Sequence, residues 1–120
     1  MDMVDTLQEQ HKASRIINRE MLKLSAQGKD LGPEGRRRLL SLCGAFTNMY
    51  LPHIARENSI LFPVFYDIVS SDYLVEIKKK MEDEEKKILG ATGFRGLVGR
   101  LAELEKEAGT YGLSQYTARL

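Results

Sequence analysis

The sequence predicts an all-α fold, an up-down bundle of four helices. Segments rich in Leu, Lys, Glu, Arg and Met follow one another with no sustained period-two alternation of apolar and polar residues. Glycines and prolines fall in clusters, which punctuate the chain. The connections left between segments span roughly three to seven residues, a length that joins neighbouring antiparallel helices.

The first helix is expected from about Met3 to Ala26, with Gly28 as its C-terminal stop. Its apolar face carries Val4, Leu7, Ile17, Met21 and Leu24. The second helix begins near Pro33, a residue suited to a first turn, with Glu34 favourable beside the positive end of the helix dipole. It continues to about Tyr66 past Pro52 and Pro63, and a kink is expected at Pro52, where a backbone donor is missing. The third helix covers about Asp72 to Leu89 behind a Ser70 or Ser71 cap, and the fourth about Phe94 to Ala108. These elements make one helical domain over residues 1–109, and residues 110–120 form a C-terminal tail without clear pattern.

At 120 residues the chain can bury a core without disulfides or a structural metal. Apolar residues at 42% and charged residues at 29% exclude a disordered chain. The 18 basic and 17 acidic side chains nearly cancel, so no basic excess points to nucleic acid, and Arg36, Arg37 and Arg38 read as a solvated cluster. No apolar run approaches the roughly 20 residues of a membrane span. Asp2 and Asp5 are the wrong charge for a signal peptide. Cys43 is the only cysteine, which fits a reducing cytoplasm, and it reads as a small buried hydrophobe. The chain contains no GxxxxGK loop, no GxGxxG, no GxSxG elbow and no CxxC.

The second helix holds the chemistry. At about 100° per residue, Leu39, Leu42, Cys43, Phe46, Tyr50, His53, Glu57, Ile60 and Val64 share one stripe. His53 and Glu57 therefore sit one turn apart inside an apolar seam, where an uncompensated carboxylate is costly. A shared metal ion would compensate it, and so would a plain His–Glu hydrogen bond. His11, the only other histidine, lies near Val4 and Leu7 and is expected to face the same interior. Ligands converging from facing helices are how bundles build metal sites. On the third helix, Glu84 and Glu85 interrupt the stripe of Leu74, Ile77, Met81 and Ile88. They are further candidate carboxylate ligands, although the run from Glu82 to Lys87 reads more readily as a solvated face.

The stretch His53-Ile54-Ala55-Arg56-Glu57-Asn58-Ser59-Ile60-Leu61-Phe62-Pro63 resembles the signature of hemerythrin-like HHE cation-binding domains, in which His-x-x-x-Glu is followed by Leu-Phe-Pro. Gln10-His11 is similar to the Glu-His or Asp-His pair of that family, and Glu84 to Gly90 also looks like a family segment. The resemblance implies a four-helix bundle around two non-haem irons bridged by carboxylates. It implies His11 and His53 as terminal iron ligands and Glu57 as a bridging carboxylate. Family members carry or sense dioxygen, handle nitric oxide, or sense and store iron. The third and fourth helices here carry no histidine, so the chain resembles half of the usual ligand set. A homodimer would complete it, with three ligands from each chain. The rival expectation is a metal-free helical interaction module in which His11, His53 and Glu57 are a hydrogen-bonded relic.

Overall fold

A computed structural model describes residues 2–120 as helices joined by short turns, with no strand among the described residues. The chain divides into two compact units, residues 1–68 and 69–120.

In the first unit, α1 (Met3–Ser25) starts where the Asp2 carboxylate accepts the Asp5 N–H at 2.8 Å. It ends one residue before the expected Ala26, which caps it. A 3₁₀ turn, Gly28–Asp30, brings Leu31 into the core, and α2 (Pro33–Arg56) begins with proline in its first turn.

The two helices run antiparallel, as their partnered residues show. Gln10 meets His53 near the end of α2, whereas Glu20 and Met21, late in α1, meet Arg38 and Cys43 in its first half. Leu7, Leu31 and Leu42 are the buried apolar residues, and His53 is buried with them. Arg38 holds Glu20 with two hydrogen bonds, Nε to Oε1 at 2.7 Å and Nη2 to Oε2 at 3.0 Å. These bonds lower the Glu20 carboxyl pKa from its ordinary value.

The expected kink site is not where α geometry gives way. α2 continues through Pro52, and the departure comes later, in a π-helical turn at Glu57–Leu61. There the Phe62 N–H donates to the Glu57 carbonyl five residues back. Pro63 explains the position: its ring would collide with the carbonyl four residues earlier in an α-helix, and a wider turn displaces that carbonyl. The single second helix expected to reach Tyr66 is therefore α2, the wide turn and a short α3 (Phe62–Ile68).

In the second unit, α4 (Ser71–Leu89) is capped by Ser70, whose hydroxyl accepts the Tyr73 N–H at 3.2 Å. α5 (Gly93–Ala108) follows after a tight turn. That turn needs Gly90 at φ 83° and Gly93 at φ 56°, left-handed conformations that disfavour any Cβ. Within residues 110–120 a 3₁₀ turn forms at Leu113–Tyr116.

Candidate metal centre

His11, His53 and Glu57 come together at the contact between α1 and α2, each offering one ligand atom within 4.8 Å of the others. The local sequence sets each one. Glu57, which caps α2 and opens the wide turn, lies one turn after His53, and its N–H still donates to the His53 and Ile54 carbonyls, so α geometry holds to that point. Antiparallel pairing then brings His11 opposite them.

The three atoms form a nearly equilateral triangle. His11 Nε2 lies 3.0 Å from His53 Nε2 and 3.2 Å from Glu57 Oε1. His53 Nε2 lies 3.0 Å from Glu57 Oε1. Ligands at right angles on an ion with bonds of about 2.1 Å stand about 3.0 Å apart, whereas tetrahedral ligands stand about 3.4 Å apart. The triangle therefore fits one face of an octahedron, the arrangement of a two-histidine, one-carboxylate site for a divalent transition metal.

The protonation pattern agrees with that fit. His53 Nδ1 donates to Gln10 Oε1 at 2.8 Å, which places its single proton on Nδ1 and leaves a lone pair on Nε2. A free lone pair and a carboxylate oxygen then face each other at 3.0 Å, with only the His11 Nε2–H to share between them. Acceptors gathered this way favour a cation. Were His11 Nε2 to serve as a ligand, its ring proton would sit on Nδ1, on a side chain that is half exposed. No buried carboxylate has to be protonated or released in that exchange.

Aromatic neighbours steady the rings. Phe46, Tyr50 and His53 lie nearly parallel along α2, at 5.3 Å and then 6.4 Å between centroids. His11 meets His53 edge-on at 4.7 Å. Burial is graded across the site: His53 is almost fully covered, the Glu57 side chain is 16% exposed and that of His11 50%. The His11 side is the one most open to solvent.

Glu84 and Glu85 lie on α4 in the second unit, and both are exposed. Glu84 pairs with Lys87 at 2.8 Å, and the Glu85 carboxylate lies beside the position of Gly93. Cys43 is exposed, not buried as its stripe position suggested, with its thiol 3.6 Å from the Met21 sulfur. The role of Gln10 escaped the reading of the sequence, which treated it only as the neighbour of His11. Its signal was available: consecutive residues on α1 straddle the seam into which His53 projects.

The family model for the hemerythrin HHE cation-binding domain matches residues 2–119, nearly the whole chain. Among curated proteins, "Uncharacterized protein Rv1995" of Mycobacterium tuberculosis is similar, at 31% identity over 116 residues. "Uncharacterized protein Mb2018" of Mycobacterium bovis matches with the same identity. In each case the match covers 97% of this chain and 46% of the relative, so the chain spans about half the length of the curated relatives it matches. No solved structure matches the chain at a significant level.

Proposed function

The chain belongs to the hemerythrin HHE cation-binding family, and from that premise we propose that it holds non-haem iron through His11, His53 and Glu57. The observation that carries the reading is the triangle of two imidazole nitrogens and one carboxylate oxygen at 3.0 to 3.2 Å. Bound iron would supply open coordination positions for a small diatomic ligand, and the role we assign is binding or sensing dioxygen, nitric oxide or iron itself. His53 would hold the ion from the buried side, Glu57 would balance its charge, and His11 would complete the set from the exposed side. The setting is a reducing cytoplasm, consistent with one unpaired cysteine. No helix among the described residues is long and apolar enough to cross a membrane.

A di-iron centre of the family type needs about six protein ligands for two octahedral ions with positions left open. One chain groups three, so the finer proposal is a homodimer in which each copy contributes His11, His53 and Glu57, with Glu57 as a bridge. Anaerobic ferrous loading followed by iron analysis and light scattering tests both levels. The expected result is one iron per chain in a particle of two chains. His53→Ala should lose most of the iron with helicity retained, and Glu84→Gln with Glu85→Gln should keep it. Two irons in a particle of one chain would overturn the shared centre.

One observation favours a second reading. His11 Nε2 already lies within hydrogen-bond distance of both His53 and Glu57, and among the described residues no buried side-chain polar atom lacks a partner. A metal-free helical interaction module is compatible with that network. A dimer that takes up no iron under any loading condition would select it.

A further inference from the structure

His53 is held at both ring nitrogens by consecutive residues of α1. Gln10 meets Nδ1 at 2.8 Å, and His11 meets Nε2 at 3.0 Å. A primary amide has an acceptor end and a donor end of nearly the same shape, so either can face Nδ1. With Oε1 turned inward, as here, His53 carries its proton on Nδ1, and Nε2 presents a lone pair toward His11 and Glu57. With the amide turned over, its NH₂ donates to Nδ1, the ring proton moves to Nε2, and that N–H donates to the Glu57 carboxylate. The first state presents a metal ligand; the second satisfies the carboxylate without a metal. Both are neutral at His53 and Gln10, so exchange between them changes no net charge.

The surroundings permit the turn. Gln10 is only half-buried, and its side chain lines an open cleft with Thr6, Pro52 and Arg56. No hydrogen bond ties down its amide nitrogen. A carboxylate at position 10 offers acceptors alone and admits only the metal-binding tautomer. An alanine offers neither partner and leaves the Nε2–H bond to Glu57 as the favoured arrangement.

We infer that Gln10 is a positioning residue whose amide selects the tautomer of His53, and so decides whether Nε2 is a metal ligand or a donor to Glu57. This rests on the reading of His11, His53 and Glu57 as a metal site and adds a control element to it. The choice of a two-faced amide makes uptake reversible: the metal-free state is stabilised by its own hydrogen bond, and the metal-bound state is held by the other face.

The test uses cobalt(II), whose visible absorption reports binding in air, on the full chain and on Gln10→Ala and Gln10→Glu. Partners of ligand histidines typically change metal affinity about 10- to 100-fold. Gln10→Ala should bind cobalt weaker by that factor, and Gln10→Glu at least as tightly as the parent, with circular dichroism confirming unchanged helicity in all three. Nitrogen-15 shifts of the His53 ring, read in metal-free protein, give the independent measure. The parent should show averaging between tautomers, Gln10→Glu the Nδ1–H form, and Gln10→Ala the Nε2–H form. One tautomer common to all three proteins, or a Gln10→Ala affinity within twofold of the parent, overturns the inference. Ordered tautomers with no cobalt uptake by any of them would uphold the control of His53 and overturn the metal reading beneath it.

Discussion

Side-chain polar pairs cross between helices in the first unit, whereas among the described residues the ion pairs of the second unit stay within single helices. From α1 to α2 and the wide turn that follows it run Gln10 to His53, His11 to Glu57 and Glu20 to Arg38. The ion pairs of α4 and α5 are Glu76–Lys80, Glu84–Lys87 and Glu103–Lys106, each three or four residues apart on one helix. Pairs of that kind strengthen a helix by a few tenths of a kcal/mol and say nothing about its neighbour. Crossing pairs fix which residue faces which. A three-atom site accurate to a few tenths of an ångström needs such a register, and the unit that contains the site is the one that has it. In the second unit the register comes from the chain path, through the turn from Gly90 to Gly93.

The comparison is most easily broken by core truncation. Leu42 is 5% exposed between the paired helices, whereas Met81 on α4 is 67% exposed. Leu42→Ala should cost about 2–4 kcal/mol, the usual range for a buried leucine. Met81→Ala should stay within about 0.5 kcal/mol, as exposed substitutions do. Urea unfolding of the two variants measures both, and equal losses would erase the contrast.

A smaller effect is expected at the turn that sets register in the second unit. Gly93→Ala forces a Cβ into a left-handed conformation, at about 1–2 kcal/mol. It also brings that Cβ to 3.2 Å from the Glu85 carboxylate. Thermal unfolding should register the loss while the hydrogen-bonded histidine pair, followed by its ring nitrogen shifts, stays unchanged.

The smallest effect belongs to Glu20 and Arg38, which are exposed and screened by solvent. Because folding lowers the Glu20 pKa, its contribution is present above the ordinary carboxylate value and disappears as pH falls through the lowered one. Arg38→Met should therefore shift the urea midpoint slightly at pH 7, and the difference should vanish in strong acid. A difference that survives acid would assign the effect to packing of the arginine stem.

Helix boundaries were legible because single residues enforce them: Pro33 opens α2, Ser70 caps α4, and Gly28 and Gly90 turn the chain after α1 and α4. The meeting of His11, His53 and Glu57 was legible because few polar residues interrupt an apolar stripe. Depth along the stripe was not. Leu42 and Cys43 are neighbours separated by about 100°, and α1 covers the side that carries Leu42 and His53. Nor did Pro63 announce its outcome, since a proline near a helix end is accommodated by a stop, a bend or a wider turn with equal local chemistry. Gln10 was hidden for a different reason: its importance lies in one hydrogen bond between helices, and no periodicity records a bond.

The wide turn after Glu57 also separates length from ligation. A π turn absorbs one surplus residue, so everything beyond it is out of step with α2 by about 100°. Deleting one residue between Asn58 and Leu61 would return the chain to α phase. His53 and Glu57 lie upstream and would keep their mutual spacing. Phe62, Phe65 and Tyr66 would swing to a new azimuth and present a different surface. The stretch downstream of His53 and Glu57 can thus change its outward face by gain or loss of a single residue, with the His11, His53 and Glu57 triangle left as it stands.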